Sequence, residues 1–179
     1  DRKGKMKDYV SASQLVLVQV AKEPISTKGP RLTAEVSLPG RYLVLVPFSD
    51  KVSLSSRIKG EKERNRLRRL MQSIQPPGFG IIVRTVAENK GSADLHTDLQ
   101  DLVDRWQKLY ANLKSAKPGK RVLGEVNQVS AVLRDVMTKS CTAIHVNDPR
   151  VSDEVKEFLA QSKSGDEAMV KLSRAKDLF

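Results

Sequence analysis

The sequence of 179 residues contains one cysteine, two histidines and no long apolar run. Because Cys141 stands alone, an internal disulfide and a multi-cysteine zinc site are excluded within this chain, and a reducing compartment is favoured. No apolar run approaches the ~20 residues needed to span a bilayer, and no signal-peptide core follows the basic N-terminus. We therefore expect a soluble, cytoplasmic protein without a membrane segment.

The common motifs of catalysis are also missing. There is no P-loop, no Gly-x-Gly-x-x-Gly after a strand and no Gly-x-Ser-x-Gly elbow. His96 and His145 fall in different predicted elements, and neither has a ligand at metal spacing. Asp94, Asp98 and Asp101 lie in the first turns of a predicted helix, where carboxylates favour the positive end of the dipole. We predict no catalytic residue, metal ligand or cofactor in this chain.

Positive charge is abundant. Lys and Arg outnumber Asp and Glu 32 to 21, which gives a net charge of +11 and suits a polyanionic partner such as RNA or DNA. Residues 57–69 hold seven basic and two acidic side chains. A merely solvated helix face explains such a run, but this excess is larger than solubility requires. A phosphate-facing surface is the interpretation we favour.

The order of predicted elements indicates a mixed α+β / α/β fold with a β-rich start. Strands are predicted at 14–20, 31–38 and 41–46, with a Pro39-Gly40 turn in which glycine permits positive φ. An amphipathic helix follows and ends at Pro76-Pro77. A long helix over 95–113 then carries an apolar stripe that includes Trp106 and Tyr110 as core residues.

Residues 115–120 have the composition of a linker and are the best candidate for a domain boundary. Beyond them the pattern is α/β again. A helix is predicted around 129–136, a strand at 143–146, a helix opened by Asp148-Pro149 as N-cap and N1, and a strand at 169–172.

The stretch Gly78–Thr85 combines two glycines, a β-forming run, an arginine and a threonine. Ile81 to Val83 predict a strand buried on both faces, so Arg84 and Thr85 would project from its end. A guanidinium beside a hydroxyl is a common grip for a phosphate or a carboxylate. An ordinary strand followed by a surface arginine explains the same residues, and both interpretations stay open at this point.

Three motifs are specific when taken together: Val-Gln-Val-Ala-Lys-Glu-Pro at 18–24, Leu-Pro-Gly-Arg-Tyr-Leu-Val at 38–44 and Ile-Val-Arg-Thr at 82–85. With Ser55–Gly60, Asn147–Pro149 and Val155–Phe158, their order over roughly 15–160 resembles the bacterial ribonuclease E/G family. These are single-strand-specific, Mg²⁺-dependent endoribonucleases of RNA processing and decay. They cut more readily when the RNA carries a 5′-monophosphate.

The resemblance implies a division of the chain. Residues 1–36 would be the C-terminal strands of an S1 (OB-type) domain, 37–120 a 5′-sensor domain, and 121–179 part of an RNase H-like subdomain. The family's catalytic aspartates and its zinc link for oligomerisation would lie beyond Phe179. We therefore expect an internal fragment that is inactive alone, with Mg²⁺ and homo-oligomers belonging to the full-length enzyme.

The resemblance also implies a binding site for the RNA end. Arg84 and Thr85 would bind the 5′-monophosphate, while Gly40 and Val44 would line the pocket of the terminal nucleotide, glycine because a backbone must approach closely. A 5′-triphosphate would be too large for that pocket.

Basic side chains would bind the RNA backbone: Lys22, Lys28, Arg57, Arg64 and Arg68. The family often has two arginines where this chain has Ser56-Arg57, so one phosphate contact could come from the 64–69 helix face instead. The expected partners are single-stranded RNA with a 5′-monophosphate and the rest of the ribonuclease chain. A standalone RNA-binding module, a ribosome-associated adaptor or a basic protein–protein adaptor is an alternative.

Overall fold

The computed structural model describes residue 5 and residues 8–124, 128–137, 141–162 and 169–173. These residues contain both helices and strands, which confirms the predicted mixed α and β class. The chain divides into two compact units, 1–120 and 121–179. The division lies next to the 115–120 linker, whereas the assignment of 1–36, 37–120 and 121–179 to named domains stays a prediction.

The first unit begins with a small two-stranded sheet. Strand β1 (Gln19–Lys22) pairs antiparallel with β2 (Arg31–Thr33), and the pairing is irregular between Val20 and Lys22. The predicted strand at 14–20 is therefore wrong over 14–18, which lies outside any strand. Leu15 is 71% exposed there. A β-forming run becomes a strand only where a second strand accepts its backbone hydrogen bonds.

A four-stranded mixed sheet forms the centre of this unit. Its order is β3 (Leu38–Pro39), β4 (Leu43–Pro47), β6 (Phe79–Val83) and β5 (Val52–Leu54). Strands β3, β4 and β6 are antiparallel neighbours, whereas β5 runs parallel to β6. The parallel pair requires a crossover, which helix α1 (Glu61–Ile74) provides. The single strand predicted over 31–38 is thus divided between β2 and β3.

One face of the sheet is buried and the other is partly open. Leu43 and Leu45 of β4 stand opposite Val83 and Ile81 of β6, and all four side chains are 0% exposed. Ile82 points to the other face and is 41% exposed. The prediction that β6 is buried on both faces is therefore wrong, because the helices cover the sheet on the side of its buried residues.

Two helices supply the rest of this core. Helix α1 contributes Leu67 and Met71, and α2 (Ser92–Leu113) contributes a stripe of buried residues. Trp106 is 8% exposed, which confirms its predicted core position. Tyr110 is 53% exposed, so its predicted burial is wrong. It lies at the outer edge of the stripe, with its ring centroid 6.4 Å from that of Trp106.

The second unit has its own core. It contains α3 (Gln128–Val136), β7 (Ile144–Val146), α4 (Pro149–Ser162) and β8 (Val170–Leu172), and β7 and β8 pair in parallel. The buried residues of this core are Leu133, Met137, Val146, Val155 and Leu159. The Asp148 carboxylate accepts the Arg150 N–H at 2.8 Å, as predicted for an N-cap. Within the described residues, no helix combines the length and apolar character that crossing a membrane would need.

Candidate functional site

Arg84 and Thr85 lie where strand β6 ends. The last residue of β6, Val83, accepts the Ser55 N–H at 2.9 Å, and the Arg84 N–H donates to the Tyr42 carbonyl at 2.8 Å. A short 3₁₀ turn, Thr85–Ala87, follows immediately. The antiparallel partner β4 and the parallel partner β5 therefore bring two loops, 40–42 and 55–58, to the same end of β6.

The Arg84 side chain is half-buried and contacts the first of these loops. Its Nη1 donates to the carbonyl oxygen of Gly40 at 2.7 Å and to that of Arg41 at 3.3 Å. The guanidinium carries five N–H donors in a planar fork, and both of these bonds use the same nitrogen. Arg84 is thereby fixed against the backbone of the loop that joins β3 and β4.

The carboxylate of Asp98 in helix α2 accepts hydrogen bonds from the backbone N–H groups of the same loop. Its Oδ1 accepts the Arg41 N–H at 2.9 Å. Its Oδ2 accepts the N–H of Tyr42 at 2.9 Å and that of Leu43 at 2.8 Å. Hydrogen bonds to a charged group are shorter and stronger than neutral ones, so this carboxylate determines the course of the loop.

Gly40 is a glycine because of this packing. A Cβ at this position would lie 2.8 Å from both Asp98 carboxylate oxygens and 2.9 Å from Leu102 Cδ1. Positive φ is confined to Gly78 and Gly119 among the described glycines, so the predicted role of φ in the Pro39-Gly40 turn is wrong. The close approach at Gly40 is to side chains of α2.

Thr85 contacts the second loop. Its Oγ1 lies 2.9 Å from the Ser55 hydroxyl, and either oxygen can be the donor. Ser55 Oγ accepts the Arg57 N–H at 3.3 Å. With Ser55 as the donor of the two, the Thr85 proton is left for a further acceptor. Arg64 Nη1 fixes this loop by donating to the carbonyls of Ser55 and Ile58, both at 2.9 Å.

The structure brings the four predicted end-binding residues together. Gly40 contacts the Arg84 guanidinium directly. Val44 pairs with Ile82, two residues before Arg84, and is half-buried on the more open face of the sheet. Thr85 is adjacent in the chain. Their roles toward RNA stay predictions.

The predicted backbone-binding residues are more scattered. Arg57 is exposed next to Ser55, and Arg68 is exposed one turn after Arg64 on α1. Lys22 and Lys28 are exposed in the β1–β2 region. Arg64 has a structural role in the 55–58 loop, and any RNA contact by it remains a prediction.

Part of the positive charge of α1 is neutralised within the protein. Arg66 Nε and Nη2 each donate to a Glu63 carboxylate oxygen at 2.7 Å. Arg66 hydrogen bonding, opposed by burial and aided by the Asn89 N–H, lowers the pKa of Glu63 to about 2. The same pair raises the pKa of Arg66. Because Arg66 also donates to the Lys90 carbonyl at 3.0 Å, the pair ties α1 to the loop before α2.

Among the described residues, no three His, Cys, Asp or Glu side chains are grouped to hold a metal ion. Asp98 and its helix neighbours do not form such a group, because the Asp98 oxygens are directed at backbone N–H groups. Within the part of the chain that the structure describes, no group of side chains fits Mg²⁺, and we assign no step through it.

Sequence reasoning missed two residues of the site, Asp98 and Ser55. Asp98 has a signal that could have found it: it lies three residues after Leu95 and four before Leu102, on the apolar stripe of α2. A carboxylate on a buried face requires hydrogen-bond partners. Ser55 has no comparable signal, since its contact with Thr85 depends on the parallel register of β5 and β6.

Comparisons of the sequence with known proteins identify its family. The model of the ribonuclease E/G family matches residues 37–179. The chain is similar to ribonuclease E of a Nostoc species, with 40% identity over 158 residues that cover 88% of this chain and 23% of that protein. For ribonuclease E of a Synechocystis species the identity is 38%, covering 90% and 24%.

The chain is also similar to ribonuclease G of Escherichia coli, with 34% identity covering 86% of this chain and 32% of that protein. It spans about a quarter to a third of the length of these relatives. The match of the family model covers most of the sequence, including β3 to β6, Arg84, Thr85 and Asp98. This chain therefore belongs to the ribonuclease E/G family.

Proposed function

We propose that this chain is the RNA-binding, 5′-monophosphate-sensing part of a ribonuclease E/G-type single-strand-specific endoribonuclease that acts in RNA processing and decay. The observation that carries the proposal is the placement of Arg84 and Thr85. Arg84 and Thr85 are consecutive residues at the end of β6, and a neighbouring loop fixes the side chain of each. Membership of a family whose relatives are named ribonucleases supports it.

The chemistry of the two side chains suits a terminal phosphate. A 5′-monophosphate carries more charge than the phosphodiester links of the chain and has three terminal oxygens. In the proposal Arg84 donates N–H groups to two of these oxygens and Thr85 donates its hydroxyl to the third. A 5′-hydroxyl offers neither the charge nor the oxygens. In the proposal Gly40 and Val44 line the pocket of the terminal nucleotide, and a 5′-triphosphate would be too large for it.

The excess positive charge supplies the remaining affinity. Exposed Lys22, Lys28, Arg57 and Arg68 would attract the RNA backbone without reading its sequence. In this proposal Mg²⁺-dependent cleavage and homo-oligomer formation belong to the complete, cytoplasmic enzyme. This chain, whose partners are the RNA and the rest of the ribonuclease, binds an RNA end and does not cut it.

The test compares three short RNAs of one sequence that end in a 5′-monophosphate, a 5′-hydroxyl or a 5′-triphosphate. We expect wild type to prefer the monophosphate and Arg84→Ala to lose roughly tenfold to a hundredfold of that preference, the loss of a bidentate charged contact. Arg69→Ala is the matched control, because it removes an exposed arginine of α1. It should weaken binding of all three RNAs alike.

Two results would contradict the proposal. Equal affinity of wild type for all three ends removes the sensor assignment and, if that affinity falls steeply with salt, favours a basic RNA-binding module. Cleavage of RNA by the purified chain in Mg²⁺ contradicts the division between sensing and catalysis.

A further inference from the structure

Arg84 and Asp98 are connected through two consecutive peptide groups. In the Gly40–Arg41 peptide, the carbonyl oxygen accepts Arg84 Nη1 at 2.7 Å and the N–H donates to Asp98 Oδ1 at 2.9 Å. In the next peptide, Arg41 to Tyr42, the carbonyl accepts Nη1 at 3.3 Å and the N–H donates to Oδ2 at 2.9 Å. The guanidinium and the carboxylate thus lie at opposite ends of the same two peptide dipoles.

This arrangement makes the two charged groups depend on each other. A peptide whose N–H donates to an anion has a more polarised carbonyl, and that carbonyl is a better acceptor for a cation. A third N–H, that of Leu43, adds to the hold on Asp98 at 2.8 Å. A Cβ built on Gly40 would lie 2.8 Å from both oxygens of the same carboxylate, so the loop lies close against α2.

We propose that Asp98 is a positioning residue for Arg84, and through it for recognition of the RNA 5′-phosphate. This inference rests on the proposed function. Asp98 does not contact the RNA. It holds the 41–43 N–H groups, the loop therefore presents the carbonyls of Gly40 and Arg41 in fixed positions, and these carbonyls orient the guanidinium.

Asp98→Asn is the informative variant. The asparagine side chain has one carbonyl oxygen, and an NH₂ group replaces the other carboxylate oxygen. This NH₂ group cannot accept a hydrogen bond, so the backbone N–H groups that face it lose their acceptor. Asp101→Asn is the matched control: it makes the same change on the same helix at an exposed position. Circular dichroism establishes that each variant retains the helical content of wild type.

Two readouts are compared. The first is the affinity ratio for 5′-monophosphate over 5′-hydroxyl RNA. The second is the ¹⁵N NMR spectrum of the Arg84 guanidinium in the absence of RNA, which reports whether the group is held in one orientation. We expect Asp98→Asn to lower the affinity ratio about tenfold, equivalent to about 1.4 kcal/mol. We also expect the NMR signals of the Arg84 guanidinium to average, because the group is no longer held in one orientation. Affinity for 5′-hydroxyl RNA should fall by less, because that end has no phosphate for Arg84 to bind.

The outcomes separate this inference from the proposed function. If wild type does not distinguish RNA ends, the proposed function fails, and the guanidinium spectrum still decides whether Asp98 orients Arg84. If Arg84→Ala loses the preference while Asp98→Asn keeps both the preference and the ordered spectrum, the positioning role is overturned.

If Asp98→Asn does not fold, the same coupling can be measured in the opposite direction, from the Arg84→Ala variant. In Arg84→Ala the Asp98 carboxyl carbon and the amides of residues 41–43 should shift in the NMR spectrum, because the carbonyls lose their cation. Unchanged resonances would overturn the coupling.

Discussion

Replacing Gly40 by alanine tests whether the loop and helix α2 are packed as tightly as the structure indicates. The new methyl group would lie 2.8 Å from each Asp98 carboxylate oxygen and 2.9 Å from Leu102 Cδ1. Overpacking of this kind costs about 1–3 kcal/mol. Gly40 has no positive φ, so alanine also gains about 0.4–1 kcal/mol by restricting the unfolded chain. The expected net loss of stability is about 1–2 kcal/mol.

The assay follows from the composition of the chain. It has one tryptophan, Trp106, on the same helix as Asp98 and Leu102. Urea unfolding followed by its fluorescence therefore reports the first unit. Gly29→Ala is the control, because a Cβ there would meet nothing within 4 Å, and its effect should stay within about 0.5 kcal/mol. If Gly40→Ala is as stable as wild type, the tight packing of loop against helix is refuted.

Two further predictions concern helix α1. Since Arg66 and the Asn89 N–H hold the pKa of Glu63 at about 2, well below the ordinary 4.5, its contribution is present above pH 4.5 and is lost as the pH falls toward 2. We expect wild type to lose about 1 kcal/mol more than Glu63→Gln over that range, a modest value because Arg66 is 40% exposed. Equal pH dependence would contradict the pairing. Arg64→Ala removes two bonds to loop carbonyls and should cost about 1–2 kcal/mol in urea unfolding. Exposed Arg68→Ala should cost under about 0.5 kcal/mol, and equal losses would refute the structural role of Arg64.

The elements that the sequence predicts best are those with long periodic patterns. Helix α2 follows from its apolar stripe, and β4 from the run of β-forming residues that ends at Pro47. Short strands are harder to predict from the sequence, because they form only where a neighbouring strand pairs with them. In the segment 31–38, which is predicted as one strand, the Glu35 N–H donates to the Thr33 hydroxyl at 3.1 Å. The Val36 N–H donates to the Ala34 carbonyl. Local hydrogen bonds of this kind compete with a strand ladder.

In the candidate site, too, the sequence predicts some features and leaves others open. The abrupt end of an apolar run at Arg84 and Thr85 predicts two polar side chains at the end of a strand. The partner of the loop, Asp98, lies 57 residues beyond Arg41. Helical periodicity places Asp98 on the buried face of α2, but it does not say which backbone groups lie opposite. That information comes only from the register of β3 and β4 beneath the helix.

The binding residues are held in place before any RNA arrives, and this has a consequence for affinity. Ordering a free arginine side chain costs about 2 kcal/mol of rotamer entropy. Arg84 is already fixed by two carbonyl oxygens, and Thr85 by the Ser55 hydroxyl. In the proposal the ordering cost is therefore met during folding, and a single phosphate group can bind with useful affinity. The same reasoning explains why Asp98, which contacts no RNA in this proposal, would influence recognition: it stabilises the bound orientation of Arg84 in the free protein.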